Sequence, residues 1–510
     1  MHKIKTTALV ALLVIGLAIT AIPAATACEP KVADDWTLVY DGRGVKAYPD
    51  LREYVWETER PPFGDYDKIG LHRVVKTGIE PRGVVFILPG TWSNGEQLTS
   101  NPPGDRWTAY ENHSFALYLA NRDFDVYAID YRTHFVPIYL DPVNLSSMAD
   151  WGWDQWISDI KAAVDLAKEV SGAERVYLAG DSFGGSAAMN YASKYWEEDL
   201  KGILLRDGGT GAKYPELVTN KTNLPLLIAI MKATGAWSLE VGTPGSIFLM
   251  KHADLYPDAP AEYPPGNPLP PLEDPETGDI WFAHNMSEWA AFQIYWAWGK
   301  GVVSNIYEGY GDPSVMIHID ATFDRYWPIR LNLESAAIAD WDNCPYVTTD
   351  FDDYYSEIDV PLLAFTSELF GLTYWGPFRH GIANPDFTGN YLWGYGHLDV
   401  YSGEYSEGNV SAPTYEWLIS HRMLLGCGGV RIGGDWTWGK TTIYINNINT
   451  TVIDFKVDGA LVAWEITYHW SDNYLEIYKG ENELDSISIL ITKRVSMACG
   501  PNVFFLGSRV

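Results

Sequence analysis

Positive charge is scarce in this 510-residue chain, which has 36 lysines and arginines against 66 acidic residues and a formal net charge of -30. Nucleic acids and anionic membrane surfaces attract basic proteins, so this balance argues against both as partners. Cysteine is also rare, and the spacing of the 4 cysteines matches no metal-binding pattern. We therefore expect no nucleic-acid partner, no metal and no cofactor.

Beyond its amino terminus the sequence lacks an apolar stretch long enough to span a bilayer. The apolar run at residues 8–22 is itself short for a span. It follows basic residues and is followed by Ala25-Thr26-Ala27, a small-residue cleavage pattern. We expect residues 1–27 to be a signal peptide and the protein to be secreted or held at the extracytoplasmic cell surface. Cys28, directly after the predicted cleavage site, leaves attachment to the membrane as a lipoprotein open.

Hydrophobic residues are abundant, at 47% of the chain, which excludes global disorder. Up to residue 209, short apolar runs alternate with segments of helical periodicity, and the alternation resumes at Val360. This rhythm predicts an α/β fold with a mostly parallel sheet covered by helices on both faces. The predicted core has a first part at residues 28–209 and a second part at residues 358–426.

Two segments depart from this rhythm. Residues 210–357 hold a proline-rich stretch and a helical segment rich in tryptophan and tyrosine. An insertion between two strands of one sheet is expected to form a helical cap over the strand ends, where such sheets bind ligands. A separate, purely structural module is the alternative. Residues 427–510 carry short strand-like runs separated by turns, which predicts a β-rich carboxy-terminal module.

The most specific motif is G-D-S-F-G at residues 180–184, between an apolar run and a small-residue stretch. A serine on a sharp strand-to-helix turn needs small neighbours, since strand and helix approach closely there. The motif therefore predicts Ser182 as a nucleophile. A serine hydroxyl needs a base within hydrogen-bond reach. His397, in a glycine-containing loop after the resumed sheet, lies where the base is expected in the chain order serine, acid, histidine.

These features resemble the α/β-hydrolase superfamily over roughly residues 65–210 and 358–425. The resemblance rests on the turn at residues 88–91, the serine motif and His397. The large insertion and the sequence around His397 are similar to those of capped lipases and esterases. The resemblance implies an oxyanion hole formed by the backbone N–H groups of Phe183 and Thr91. The superfamily usually shows His-Gly where this chain has Pro-Gly, a change that leaves the backbone donor in place.

The acid that orients the histidine is less clear. The resemblance implies a carboxylate a few residues past the strand that begins near Val360, and Glu368 is the only acid in reach there. Asp207, at the end of the preceding predicted strand, is the alternative. Asp399 lies only two residues from His397 and is not expected to orient its ring. We expect Glu368 to be the acid, with Asp207 left open.

A serine nucleophile forms an acyl-enzyme, whereas the dehalogenases and epoxide hydrolases of this superfamily need a carboxylate nucleophile. We therefore expect an exported serine hydrolase that cleaves carboxylic esters, either small or lipid-like. A peptidase or acyltransferase on the same fold is one alternative. A non-catalytic surface or binding protein that retained the fold is another.

Overall fold

A computed structural model of the protein describes residues 36–45, 48–96, 114–141, 144–209, 224–240, 246–273, 278–298, 311, 313–338, 351–369, 382–384, 386–426, 435–438, 441–449, 452–457, 460–471, 474–479, 486–491 and 504–507. The predicted signal peptide and Cys28 lie outside these residues. The chain divides into two compact units, Met1–Trp417 and Leu418–Val510. In the part of the chain just given, no helix is both long and apolar enough to cross a membrane.

The first unit contains both strands and helices. The strands are β1 (Thr37–Val45), β2 (Tyr48–Glu59), β3 (Lys68–Lys76), β4 (Val84–Leu88), β5 (Asp125–Asp130), β6 (Val176–Asp181), β7 (Leu200–Arg206), β8 (Ser238–Glu240), β9 (Leu272–Glu273), β10 (Ile280–Trp281), β11 (Tyr326–Pro328), β12 (Leu362–Ser367) and β13 (Phe387–Leu392). The helices are α1 (Phe115–Asn121), α2 (Trp153–Ser171), α3 (Phe183–Asp199), α4 (Leu224–Thr234), α5 (Ser246–Leu255), α6 (Met286–Trp298), α7 (Pro313–Thr322), α8 (Ile329–Ile338), α9 (Asp399–Ser402) and α10 (Ala412–Gly426), of which α10 continues into the second unit.

Nine of these strands form one sheet in the order β1-β2-β3-β5-β4-β6-β7-β12-β13. The pairs from β1 to β5 along this order are antiparallel, and every later pair is parallel. All five residues of β4 and all six of β6 are buried. Such completely buried strands are typical of parallel sheets that are covered on both faces. The predicted α/β architecture is therefore confirmed.

Helix α2 shows how the helices cover the sheet. Its buried side chains include Trp156, Ile160 and Val164, which recur at a spacing of about four residues along one face. They join the main core, together with apolar side chains of β4, β6 and α3. The carboxyl ends of the parallel strands therefore all lie at the same end of the sheet. Ligands bind at this end in folds of this class.

Residues 210–357, hereafter the inserted segment, leave the sheet after β7 and return at β12. These two strands are direct neighbours, so the segment is an insertion within one sheet. Its described part contains α4 to α8, and β8 pairs with β11 while β9 pairs with β10. A small apolar core includes Met250, Met286 and Trp289. Trp327, on β11, is instead part of the main core. The limits of the predicted domains stay predictions.

In the second unit, the described strands form a seven-stranded antiparallel sheet. Its strands follow one another in chain order, and each pairs with the next. They are β14 (Asp435–Trp438), β15 (Thr441–Asn449), β16 (Val452–Val457), β17 (Ala460–Ser471), β18 (Tyr474–Lys479), β19 (Ser486–Ile491) and β20 (Phe504–Gly507). The β-rich character predicted for residues 427–510 is confirmed.

Candidate active site

Ser182 lies at the junction between the end of β6 and the start of α3. Its backbone φ is 53°, a conformation that non-glycine residues rarely adopt. The Ser182 N–H donates to the carbonyl of Arg206 at 3.1 Å, and its carbonyl accepts the N–H of Gly185 at 2.9 Å. A strained serine held between a strand and a helix N-terminus presents its hydroxyl at the strand ends. The local structure is therefore the one the G-D-S-F-G motif predicts.

The glycines of the motif are required by close backbone approach. A Cβ at Gly184 would lie 1.9 Å from the carbonyl oxygen of Leu88, and one at Gly180 would lie 2.3 Å from that of Gly184. Both obstacles are backbone atoms, so no side-chain rotation relieves them. Helix α3 can pack this closely against β6 and β4 only because Gly180 and Gly184 lack a side chain.

We predict that Gly184→Ala destabilises the protein by about 3 kcal/mol or more, because the new methyl group must displace the backbone at Leu88. The measurement is the free energy of unfolding in urea. Gly408→Ala is the matched control, since nothing lies within 4 Å of a Cβ built at Gly408. That control is expected to change the unfolding free energy by less than about 0.5 kcal/mol. Equal effects of the two substitutions would contradict the close-approach account.

His397 lies between β13 and α9, in the loop that the sequence indicated. Its Nε2 is 2.8 Å from the Ser182 Oγ. Its Nδ1 is 2.7 Å from Oδ2 of Asp207. The imidazole and the carboxylate are both buried. The three side chains thus form one hydrogen-bonded chain, with the ring between the hydroxyl and the carboxylate.

The carboxylate of Asp207 is held from the neighbouring strand. Asp207 directly follows β7, and its N–H donates to the carbonyl of Phe365 at 3.0 Å. The Ser367 N–H donates to Oδ1 at 3.1 Å, and the Ser367 hydroxyl donates to Oδ2 at 2.6 Å. Asp207 itself has a φ of 45°. Two donors from the end of β12 therefore fix the carboxylate that faces His397.

The expectation that Glu368 orients His397 is wrong for this structure. Glu368 follows β12, as the resemblance implied, but its side chain is exposed and accepts the N–H of Gly394 at 2.6 Å. The Glu368 N–H is itself bonded to the carbonyl of Leu392 at 3.1 Å, which fixes the backbone at the β13 end. The side chain therefore supports the start of the loop before His397, and Asp207, the alternative acid, occupies the position beside the ring.

Asp399, the other acid near His397 in the sequence, binds the backbone of the loop. It begins α9, and its Oδ2 accepts the N–H of Gly396 at 2.8 Å. Burial raises the pKa of this carboxyl to about 7, against the opposing effect of the Gly396 N–H. Its visible role is to close the turn that carries His397.

A buried ion pair lies directly beneath the three side chains. Asp181 and Arg206 face each other across β6 and β7, and the guanidinium binds both carboxylate oxygens at 2.5 and 2.6 Å. Ser182 and Asp207 are the next residues of the two strands. Burial raises the pKa of Asp181, whereas Arg206 lowers it. The Tyr401 hydroxyl donates to the Arg206 carbonyl at 2.6 Å, and the Tyr401 ring meets the His397 ring edge-on at 5.8 Å between centroids.

The two predicted oxyanion donors belong to segments that lie next to Ser182. Phe183 begins α3, and the first N–H groups of a helix have no partner within it. The turn after β4 also approaches Ser182, since a Cβ built at Gly90 would lie 3.1 Å from the Ser182 Cβ. Thr91 follows Gly90. The Phe183 ring stacks on Trp153 and meets Trp327 of the inserted segment edge-on, both at 4.9 Å between centroids.

Several residues of this site carry no sequence motif. The role of Ser367 depends on the neighbouring strand, and the pairing of Asp181 with Arg206 depends on strand register. One signal was available, because Asp207 directly follows an apolar strand just as Ser182 does. Across the described residues, no group of three or more His, Cys, Asp or Glu side chains is arranged to hold a metal ion.

Comparisons with known proteins give relatives of this chain. A family profile described as serine aminopeptidase, S33, matches residues 104–207. A Sulfolobus solfataricus structure described as a candidate lipase is 36% identical, with a TM-score of 0.59, over 76% of this chain and 99% of that one. A monoacylglycerol lipase from Paleococcus ferrophilus is 16% identical, with a TM-score of 0.37, over 69% of this chain and 99% of its own. No curated protein sequence matches the chain.

The Sulfolobus solfataricus structure decides the family, because 36% identity extends over 99% of its length. The aminopeptidase profile matches the region that contains β5, β6, Ser182 and Asp207. The sheet order, the serine junction and these similarities agree. The chain belongs to the α/β-hydrolase superfamily.

Proposed function

We propose that this protein is a serine hydrolase that cleaves carboxylic esters through an acyl-enzyme. The observation that carries the proposal is the hydrogen-bonded chain from Ser182 through His397 to Asp207, with separations of 2.8 and 2.7 Å. A hydroxyl becomes a useful nucleophile when a base accepts its proton and a carboxylate orients that base. A binding protein has no physical need for this arrangement at a strained serine.

Each group has a defined step in this reaction. The Ser182 Oγ attacks the acyl carbon while His397 Nε2 accepts its proton. Asp207 accepts the Nδ1–H bond, which holds the ring in the required tautomer and stabilises the imidazolium. The N–H groups of Phe183 and Thr91 bind the oxyanion. His397 then gives its proton to the departing alcohol. A water molecule, deprotonated by His397, attacks the acyl-enzyme, and His397 returns the proton to the Ser182 Oγ as the acid is released.

We also propose that the inserted segment acts as the cap of this site and selects small or lipid-like acyl esters. Trp327 contacts Phe183, and Leu398, next to His397, packs on the apolar core of the inserted segment. Apolar and aromatic linings are typical of pockets for such ligands. The relative from Sulfolobus solfataricus, described as a candidate lipase, is consistent with this substrate class.

Peptide hydrolysis is the second candidate, because the matching family profile is described as a serine aminopeptidase. The same three side chains would attack an amide carbonyl. Matched nitrophenyl ester and aminoacyl nitroanilide substrates distinguish the two. We expect kcat/KM to be higher for the ester by a factor of 100 or more; the reverse preference would favour the peptidase.

We predict that the protein hydrolyses a short-chain nitrophenyl ester and that an aryl phosphonate stops this activity with one label per chain. The label is expected on the peptide that contains Ser182, because its hydroxyl lies within hydrogen-bond distance of His397. Peptide mass spectrometry makes the measurement. Absence of both hydrolysis and labelling would favour the non-catalytic alternative.

We propose, finally, that the protein is exported, on the basis of the sequence of residues 1–27. Mass spectrometry of the protein from its native membrane and medium fractions would find an amino terminus at Cys28. An added diacylglycerol at that cysteine would establish the lipoprotein form, and an unmodified cysteine would establish the secreted form. Retention of residues 1–27 would contradict the proposal.

A further inference from the structure

Asp324 is a carboxylate of the inserted segment that lies against the turn following β4. It comes two residues after α7 and is 6% exposed. Its N–H donates to the carbonyl of Trp92 at 2.8 Å. Trp92 is the neighbour of Thr91, the second proposed oxyanion donor. A residue more than a hundred positions away in the sequence thus touches the part of the chain that must be placed accurately for catalysis.

Both oxygens of the Asp324 carboxylate accept hydrogen bonds from core loops. Oδ1 accepts from the side-chain amide of Asn94 at 2.9 Å, and Oδ2 accepts from the Thr133 hydroxyl at 2.8 Å. His134 Nδ1 lies 3.3 Å from Oδ1. Asn94 belongs to the segment after β4, whereas Thr133 and His134 follow β5. One carboxylate therefore ties together the loops at the ends of two adjacent strands.

The turn that Asp324 holds is strained. Trp92 has a φ of 59°, which is unfavourable for a bulky residue and persists only where surrounding contacts impose it. The inserted segment supplies these contacts as well, because the Trp92 ring packs against Val315, Ile319 and Phe323. The Asn94 amide also donates to the carbonyl of Thr322 at 2.9 Å. The inserted segment thus contacts both the backbone and the side chains of this turn.

We propose that Asp324 is a positioning residue, which holds the turn after β4 so that the Thr91 N–H faces the developing oxyanion. This inference rests on the proposed ester hydrolysis. It makes the inserted segment part of the catalytic framework as well as a wall of the substrate site. Any motion of the insertion that moved Asp324 would also weaken the oxyanion hole.

The test compares Asp324→Asn with the wild type on a nitrophenyl ester. An amide has one acceptor oxygen in place of two and carries no charge, so it holds the donors of the two loops less strongly than the carboxylate does. Removing an oxyanion donor costs a factor of about 100 to 1,000 in kcat, and misplacing one is expected to cost about 10 to 100. KM is expected to change by less than about threefold, because the oxyanion forms only after binding. A boronic acid inhibitor, which forms a tetrahedral adduct, is expected to lose affinity by the same factor as kcat/KM.

Two further variants separate positioning from general stability. Thr133→Val removes one donor to Asp324 and leaves the carboxylate in place, and we expect a fall in kcat of about 2- to 10-fold. Asp254→Asn is the matched control, because that carboxylate of the inserted segment contacts His318, at 3.2 Å, within the segment. Its kcat is expected to stay within twofold of the wild type.

The outcomes are distinct. If Asp324→Asn and Thr133→Val keep the wild-type kcat, or if Asp254→Asn lowers kcat equally, the positioning role is excluded while ester hydrolysis stands. A rise in KM at constant kcat, with unchanged boronate affinity, excludes it too. An inactive wild type would instead overturn the proposed function itself. Should Asp324→Asn fail to fold, the kcat of Thr133→Val decides.

Discussion

Asp207→Asn is expected to lower kcat for ester hydrolysis by a factor of about 10,000, with little change in stability. The amide cannot accept the His397 Nδ1–H bond in the same way, so the ring can adopt the tautomer in which Nε2 carries the proton. Nε2 would then be unable to accept the proton of Ser182. Steady-state kinetics on a nitrophenyl ester, with thermal unfolding as a check on the fold, makes the measurement.

Glu368→Gln is the matched control for this acid. The glutamine oxygen can still accept the N–H of Gly394, so both the loop and the activity should remain within twofold of the wild type. A large loss of kcat in Glu368→Gln, together with a mild loss in Asp207→Asn, would show that Glu368 and not Asp207 orients His397. Mild losses in both would mean that neither carboxylate orients the ring.

The second large effect concerns the ion pair beneath the site. Arg206→Gln and Asp181→Asn are each expected to lower the unfolding free energy by about 3 to 5 kcal/mol, because each leaves the other charge buried without its partner. The double variant, which removes both charges, is expected to recover most of this loss. Urea unfolding of the three proteins makes the comparison. A double variant that is no more stable than the two single variants would contradict the electrostatic role of the pair.

The sequence predicted the serine and histidine positions because their requirements are local. Gly180 and Gly184 permit a close approach that no other residue allows, so the motif is visible within five residues. His397 lies in a glycine-containing loop at a fixed place in the chain order. The α/β architecture was equally visible, since buried parallel strands and amphipathic helices have distinct apolar periods.

The acid was assigned wrongly because its position depends on which strands are neighbours. Strands β7 and β12 pair directly and run parallel, so Asp207 and Glu368 both lie at the carboxyl ends of neighbouring strands. Only the direction of each side chain determines which carboxylate reaches His397. Ser367 holds the Asp207 carboxylate towards His397, whereas the Glu368 carboxylate accepts a backbone N–H of the loop after β13. Asp324 was beyond prediction, because its contacts join loops that only the folded insertion brings together.

The most direct test of the central claim is to trap the acyl-enzyme. Wild-type protein mixed with a nitrophenyl ester and quenched in acid within milliseconds should carry the acyl group on the peptide that contains Ser182, alongside a burst of nitrophenol. Ser182→Ala should show neither. An acyl group on another residue, or hydrolysis that persists in Ser182→Ala, would contradict the account.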